Sequence, residues 1–303
     1  MTESVSWRHE IAQSLADAFA TNPAVDAAFL GGSTARGQAD RYSDIEIALF
    51  WTRDPTKPER AQAIRAAGGE LHLQYEPEGI YWEDNLFAGH DAAHTPKSGE
   101  FVEISHIRTS EIEHILGRLS TDPDVDEDSL NLLSGIADAL PLHGIERVES
   151  WRALAESYPD ELARAVVRRH GQIEFFWRWE MLVARGSHPG PLHAHFWNIQ
   201  QHLVQMLLAT NRRYPLGYKF LDSIFERCVL APDRLAERFE SVSTLPPEHA
   251  ARELQSLVND TYDLVEQHVP GIDPAQVQQW RTWFDYERPR WDRQPDQPMG
   301  SSR

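Results

Sequence analysis

The 303-residue chain contains 41% hydrophobic residues, including 10 Trp and 12 Phe, and its 47 acidic and 29 basic side chains give a formal charge of −18. This length and apolar content are enough for two domains with buried cores, whereas the negative charge opposes general attraction to DNA, RNA or anionic lipid. Because Cys228 is the sole cysteine, an internal disulfide and a thiolate metal cluster are excluded, and any metal would have oxygen or imidazole ligands.

The sequence carries no sign of a membrane or export segment. It has no run of the roughly 18 consecutive apolar residues that a membrane-spanning helix needs, and Met1-Thr2-Glu3-Ser4 lacks the basic-then-apolar order of a signal peptide. We therefore expect a soluble, cytoplasmic protein. A cationic or neutral small substrate suits the acidic composition, although acidity also serves solubility alone.

The first fifty residues predict two helices and two strands around a glycine turn. Residues 6–21 have helical spacing and should end before Asn22-Pro23, because a residue before proline disfavours the α region. The apolar run 25–30 predicts a buried strand that ends at Gly31-Gly32, and a helix can open at residues 34–36. After a loop, residues 45–49 alternate as a strand does.

The next segment predicts a helix over 58–67 and strands over 71–75 and 101–107. Between these strands, residues 76–98 are rich in Gly, Asp, Asn and aromatic side chains, which predicts a long functional loop.

From Thr109 onward the pattern is mainly helical. Apolar residues recur at helical spacing over 160–183, 195–209, 217–229, 247–268 and 274–284. The sequence thus predicts an α+β protein. A small mixed-sheet domain at 1–157 precedes an all-helical domain at 158–288, and a flexible tail occupies 289–303.

Asp44 and Glu46 are the first candidate functional residues. At positions i and i+2 of a strand they point to one face, roughly 6.5–7 Å apart. Like charges on an otherwise apolar strand are costly unless a cation lies between them. Such a pair could bridge two divalent metals about 3.5–4 Å apart, and Mg²⁺ suits oxygen ligands. The alternative is an amphipathic edge strand.

The Gly31-Gly32-Ser33 turn supplies a complementary element. Glycines let the backbone approach a ligand, and the N–H groups of the following helix, with the Ser33 hydroxyl, can bind phosphate oxygens. Arg36, one turn into that helix, adds a positive charge. A glycine turn after a strand is most often only a turn, but its combination with the acidic strand is much more specific.

Gly-Gly-Ser followed by Asp40-x-x-Ser43-Asp44-hydrophobic-Glu46 resembles the DNA polymerase beta-like nucleotidyltransferase superfamily. The resemblance implies a small mixed sheet flanked by helices, two Mg²⁺ ions and a nucleoside triphosphate donor, taken as ATP. It also implies a third carboxylate on a later strand, for which Glu103 is our choice and Glu100 the alternative. Many relatives carry aspartate where this chain has Glu46, whose longer side chain is still a competent ligand. Ser43, with the glycine turn, belongs to the implied nucleotide site.

A second, looser resemblance concerns the helical C-terminal half, which is similar to that of aminoglycoside and lincosamide adenylyltransferases. There the helical domain closes over nucleotide and acceptor. In that comparison residues 211–219 look like the segment that reaches the triphosphate. Lys219, one of only three lysines in the chain, is the candidate phosphate contact; the alternative is an exposed helix lysine.

Four residues of the predicted loop, Tyr81, Trp82, Glu83 and Asp84, are candidates for binding the acceptor. Acidic and aromatic groups together suit a cationic, sugar-like ligand, and equally suit an ordinary solvated loop. The expected reaction is transfer of AMP from ATP to a hydroxyl of a small molecule such as an aminoglycoside, which would confer antibiotic resistance. Two alternatives stay open: modification of a protein or a tRNA end, and nucleotide binding without chemistry.

Two other patterns favour structural interpretations. His193, His195 and His202 are close enough in sequence to ligate zinc, but the surrounding aromatic and glutamine residues favour packing or an acceptor pocket. The run Asp122-x-Asp124-x-Asp126 lacks the glycine and the bidentate glutamate of a calcium loop, so it predicts a solvated loop and helix cap.

Overall fold

A computed structural model of the protein describes residues 3–77, 79–89, 99–174, 176–186 and 188–287. They form two compact units: the chain up to Val166 together with Asn211–Arg227, and Val167–Thr210 together with the residues from Cys228 onward. The predicted class is confirmed, because a mixed-sheet N-terminal half precedes a helical C-terminal region. Across the described ranges, every helix is too short or too polar to span a bilayer. The predicted tail, 289–303, lies outside the described residues.

The first unit is built on one six-stranded mixed sheet. Its strands are β1 (Val25–Leu30), β2 (Ile45–Trp51), β3 (Glu70–Gln74), β4 (Tyr81–Ala88), β5 (Glu100–Arg108) and β6 (Leu140–His143). They lie in the order β3-β4-β5-β2-β1-β6, in which β2 and β5 are parallel and the other neighbours are antiparallel. The central parallel pair therefore joins two strands that are far apart in sequence.

Helices accompany this sheet and form most of the second unit. In chain order they are α1 (Glu3–Ala20), α2 (Gly32–Ala35), α3 (Lys57–Ala66), α4 (Thr109–Arg118), α5 (Glu127–Ala137), α6 (Ile145–Glu156), α7 (Asp160–Gly171), α8 (Arg178–Ala184), α9 (Pro189–Thr210), α10 (Leu221–Arg227), α11 (Leu235–Thr244), α12 (Pro247–His268) and α13 (Pro274–Phe284). A short 3₁₀ turn, Tyr218–Phe220, precedes α10. The boundary between the units falls within α7 rather than at the predicted position after residue 157.

Most helices and strands predicted from a strong apolar periodicity are found at or near the predicted residues. Strand β1 covers the predicted residues 25–30, and α1 ends at Ala20, before Asn22-Pro23. Helices α12 and α13 have the predicted bounds. The single helix predicted over 160–183 is wrong, because α7 ends at Gly171 and α8 starts at Arg178. A Cβ built on Gly171 would lie 2.5–2.7 Å from the Trp280 ring, so this helix end is shaped by a packing contact.

The long loop predicted over 76–98 is wrong for residues 81–88, which form β4 and pair along β5. The sequence suggested a loop because residues 76–98 are rich in Gly, Asp, Asn and aromatic side chains. In the structure Asp84 and Leu86 point into the core and are fully buried, as the two-residue period of a strand requires. Residues 90–98 of the predicted loop lie outside the described residues. The short strand β6 was also missed.

One face of the sheet packs against α1 and α3, and this fixes the direction of every side chain on the central strands. Ile45, Ile47 and Leu49 of β2 belong to the buried core on that face, as do Val102 and Ile104 of β5. Side chains alternate along a strand, so the intervening residues of β2 and β5 project from the opposite face. That opposite face holds the candidate site.

Residues 211–227 are attached to the first unit by hydrogen bonds to three of its elements. The Ser134 hydroxyl of α5 donates to the Pro215 carbonyl at 2.6 Å, and the Tyr214 hydroxyl donates to the Ala155 carbonyl of α6 at 2.9 Å. The Gln38 amide after α2 donates to the Ser223 hydroxyl of α10 at 3.1 Å. Lys219 therefore belongs to the same compact unit as the acidic strands.

The second unit is held by packing among its long helices. The Gln200 amide of α9 donates to the Phe239 carbonyl of α11 at 2.8 Å. His202 lies with its Nδ1 3.2 Å from His170 Nδ1, and His195 lies with its Nε2 3.3 Å from the Phe176 carbonyl oxygen. Each of these two histidines thus has a polar neighbour within the unit.

Candidate functional site

Three carboxylates come from the centre of the sheet. Glu46 of β2 is the direct neighbour of Glu103 across the parallel strand pair, and Asp44 is the second residue before Glu46. Asp44 lies just before β2, and its charge acts on both Glu46 and Glu103. The alternative residue, Glu100, lies at the exposed start of β5 opposite Ala88. The register therefore brings Glu103 to the acidic strand and leaves Glu100 away from it.

These carboxylates are crowded and partly desolvated. Burial raises the pKa of Glu46, and the charge of Asp44 raises it further. Burial also raises the pKa of Glu103 to about 7, and Asp44, Glu83 and Glu46 add to the effect. Neither Glu46 nor Glu103 has an ion-pair partner within 4 Å among the described residues. Ionising both groups is unfavourable unless a cation comes between them.

The four candidate acceptor residues divide between the two faces of β4. Tyr81 and Glu83 share the face of Glu103, since Asn85 is the residue opposite Glu103 and alternate residues point the same way. The Tyr81 hydroxyl donates to Asp128 Oδ1 of α5 at 3.1 Å. Trp82 and Asp84 alternate toward the other face. Only two of the four residues are therefore on the side of the carboxylates.

Asp84 is a structural residue, so its predicted role in acceptor binding is wrong. Its carboxylate is fully buried, where it accepts from Arg60 Nη1 at 2.7 Å and lies 3.0 Å from His106 Nε2. The Trp51 indole N–H donates to His106 Nδ1 at 3.1 Å, which leaves Nε2 as the protonated nitrogen that donates to Asp84. Burial lowers the pKa of His106, so this histidine is neutral. The network links β2, β4, β5 and α3.

The glycine turn brings the backbone against the Glu46 side chain. Gly32 has φ +63°, and a Cβ built on it would lie 2.2 Å from Glu46 Oε1. The Gly31 N–H donates to the Glu46 carbonyl at 2.9 Å. Position 32 thus requires glycine for two reasons: the backbone is left-handed there, and a carboxylate occupies the space of a side chain.

The helix that follows the turn is a single turn, and it starts at Gly32 rather than at the predicted residue 34. α2 ends at Ala35, and Arg36 is its C-cap, because Gly37 with φ +71° turns the chain away. The N–H groups of residues 32–34 have no acceptor within so short a helix.

The loop before β2 is held by side-chain hydrogen bonds. The Asp40 N–H donates to the Ser43 hydroxyl at 3.0 Å, and that hydroxyl donates to Asp40 Oδ1 at 3.1 Å. Arg8 Nη2 donates to the Asp40 carbonyl at 2.8 Å. Ser43, predicted to contact nucleotide, uses its hydroxyl within this loop, and the loop sets the position of Asp44.

Positive charge reaches the carboxylates from two side chains. The Arg36 guanidinium and the Lys219 ammonium each lie 5.3 Å from the Phe220 ring. Both attract the Glu46 carboxylate, which partly offsets the rise in its pKa, and Lys219 does the same for Glu103. Lys219 is therefore in electrostatic reach of both acidic strands.

A cavity of ≈ 180 Å³ adjoins Glu46 and Glu103 on the side of α5. Phe29 and Ile107 give it apolar walls, and Tyr81 and Asp128 line it with polar groups. Asp128 was not among the predicted site residues, since the sequence offers no local signal that α5 would face β4. This cavity can accept a small group with both apolar and polar surface.

No protein-family model matches the chain, and no curated protein matches it. The described residues contain no closed group of three or more His, Cys, Asp or Glu side chains arranged to hold a metal ion. What the site can do is therefore argued from its residues: crowded carboxylates on two parallel strands, a glycine turn, and nearby cations.

Proposed function

We propose that this protein is a metal-dependent nucleotidyltransferase, which moves a nucleoside monophosphate from a nucleoside triphosphate, ATP first of all, to a hydroxyl of a small molecule. The observation that carries the proposal is the direct pairing of Glu46 with Glu103 across β2 and β5, with Asp44 leading into β2. The glycine turn lies against this group. The same residues carry the sequence resemblance described above.

The donor set fits Mg²⁺. All three groups are carboxylates, which are the ligands that a hard divalent ion prefers. Burial, and after it the charge of neighbouring carboxylates, raises the pKa of Glu46 and Glu103, and a bound cation would offset both effects. Asp44 and Glu46 would hold both ions, and Glu103 would complete one site. When bound, two such ions neutralise phosphate charge and stabilise the attacking and leaving oxygens of an in-line displacement.

The chain's own residues then have distinct roles. Glu103 accepts the proton of the acceptor hydroxyl. The acceptor oxygen forms a bond to the α-phosphorus, the bond from that phosphorus to the α–β bridging oxygen breaks, and pyrophosphate leaves. Residues 32–33, Arg36 and Lys219 hold the β- and γ-phosphates, because free N–H groups and cations bind phosphate oxygens.

The acceptor side is supported by the cavity beside α5. Its apolar walls and the polar Tyr81 and Asp128 suit a small molecule rather than a polymer. Glu83 adds negative charge near Glu103. The overall charge of −18 opposes binding of a polyanion such as tRNA. We therefore propose a hydroxylated or cationic small acceptor.

The test is label transfer from ATP carrying the label on either the α- or the γ-phosphate, with Mg²⁺. Panels of aminoglycosides, whole-cell protein and tRNA serve as acceptors. The proposal expects α-label on a small molecule together with released pyrophosphate. α-Label on protein or tRNA would keep the reaction and change the acceptor. γ-Label on an acceptor, or ATP binding without any transfer, would contradict the proposal.

Two matched variants of β5 test whether the reaction depends on Glu103. Glu103→Gln should reduce turnover by at least ~10²-fold, because it removes a metal ligand and the proton acceptor. Glu100→Gln, three residues away on the same strand and exposed, should leave turnover near that of the wild type. Equal effects of the two substitutions would show that Glu103 has no special role.

A further inference from the structure

Arg36 is a buried cation that lacks a full set of hydrogen-bond acceptors. Its side chain is only 8% exposed, and its buried Nε has no hydrogen-bond partner among the described residues. Its ion-pair partner Asp138 lies 3.7 Å away, from Nη1 to Oδ2, which is beyond hydrogen-bond length. Buried guanidinium groups are normally compensated by well-formed hydrogen bonds, so Arg36 has capacity for another acceptor.

Arg227 shares the same carboxylate oxygen. Its Nη1 lies 3.9 Å from Asp138 Oδ2, and its positive charge repels that of Arg36. Two guanidinium groups at one carboxylate leave an excess positive charge. Asp138 is also the C-cap of α5, where the helix dipole disfavours a negative side chain. The two arginines, rather than the helix, therefore stabilise Asp138 there.

Lys219 completes a group of three cations. Phe220 lies 5.3 Å from Lys219 Nζ and also 5.3 Å from the Arg36 guanidinium carbon. The Gln38–Ser223 hydrogen bond joins the chain just after Arg36 to α10, which carries Arg227. In a protein of net charge −18, this group of three positive side chains, two of which attract Glu46, is unusual for the composition.

We infer that Arg227 is a further cation of the polyphosphate site proposed above, beside Arg36 and Lys219, and that Asp138 is a counterion which the incoming phosphates displace. Phosphate oxygens match the planar fork of guanidinium groups and would also supply the missing acceptor for Arg36 Nε. The identity of the donor rests on the proposed function, whereas the anion site itself does not. Asp138 competes with phosphate, so its removal should tighten binding.

The experiment is calorimetric titration of the whole protein with inorganic pyrophosphate and with tripolyphosphate, at low salt, with and without Mg²⁺. Arg227→Gln should weaken tripolyphosphate binding about tenfold, the size expected for one charge-assisted contact. Asp138→Asn should tighten it about three- to tenfold, because a competing carboxylate is lost. Arg147→Gln, an exposed arginine of α6 paired with Glu113, is the control and should bind as the wild type does.

A purely structural ion pair gives the opposite result for Asp138. Weaker or unchanged binding in Asp138→Asn, no change in Arg227→Gln, or no binding of either anion by the wild type would overturn the inference. Urea unfolding of each variant, and Arg227→Lys as a charge-retaining substitution, separate loss of the site from loss of the fold. α-Label transfer with normal phosphate affinity in Arg227→Gln would refute only the inference. The expected affinity pattern without label transfer would refute only the proposed function.

Discussion

Carboxylates on the two faces of the sheet have different surroundings. On the core face, Asp84 is fully buried and its two oxygens are engaged by Arg60 at 2.7 Å and His106 at 3.0 Å. On the other face, Glu46 and Glu103 are neighbours across β2 and β5, and burial raises the pKa of each. The first carboxylate is neutralised within the fold, whereas the other two have no ion-pair partner within 4 Å among the described residues.

This contrast teaches how to separate structural from functional acidic residues in the same sheet. Glu83 and Asp84 are adjacent in β4, yet strand alternation directs them to opposite faces. Only Glu83 contributes to the crowding that raises the pKa of Glu103. A buried carboxylate with complete partners should matter for stability, and a crowded one without them should matter for activity.

The largest expected effect is on stability and concerns Asp84. Asp84→Asn leaves Arg60 charged, buried and without its counterion, which should lower the free energy of unfolding by about 3–5 kcal/mol. Urea denaturation measures the loss. The control is Glu83→Gln, which should change stability by less than about 0.5 kcal/mol. A similar loss in both variants would remove the distinction between the faces.

The next effect is on activity and concerns Asp44. Asp44→Asn should keep the fold but reduce nucleotidyl transfer by at least ~10²-fold, because a carboxylate of the proposed metal site is lost. Label transfer from ATP and urea denaturation are measured on the same sample. Asp54→Asn, an exposed residue beyond the end of β2, should retain activity. Near-normal turnover in Asp44→Asn would refute its assignment.

A smaller effect is expected at two glycines with a left-handed conformation, Gly32 of the glycine turn and Gly37 after α2. Gly32→Ala and Gly37→Ala should each lose about 1–2 kcal/mol of stability, because φ is +63° and +71°. Only at Gly32 would the added methyl group meet the Glu46 carboxylate; a Cβ on Gly37 has nothing within 4 Å. Turnover should therefore fall much further in Gly32→Ala, and equal activities would refute this role.

The smallest effect is a gain in stability at the site itself. The pKa of Glu103 rises to about 7 from an ordinary 4.5, so between these values the folded protein holds a proton that the unfolded chain has released. The contribution of this group to stability therefore falls as pH rises through that window.

Glu103→Gln removes this dependence. In metal-free protein at pH 8 the variant should be more stable than the wild type by about 1 kcal/mol, a figure reduced for solvent screening of a half-exposed group. The difference should vanish near pH 4 and shrink when Mg²⁺ is added. Thermal unfolding measures it, with Glu100→Gln as the control, and a less stable Glu103→Gln at pH 8 would contradict charge crowding.

The errors made from the sequence have a common physical cause. β4 was taken for a loop because its segment is rich in Gly, Asp, Asn and aromatic residues. Only Arg60 and His106, both distant from Asp84 in sequence, make that aspartate acceptable in the core. α7 was extended too far because the contact between Gly171 and Trp280 is not local. Partners brought together by folding can override the periodicity of a segment.

What the sequence determined by itself is local: the strand β1, the glycine turn, and the placement of Asp44 and Glu46 on one side of β2. These follow from the two-residue period of a strand and the conformational freedom of glycine. The tertiary structure alone decided that Glu103 lies opposite Glu46, and that Arg227 and Asp138 accompany Arg36. Such neighbours depend on strand pairing and helix packing between distant segments, and no local pattern encodes them.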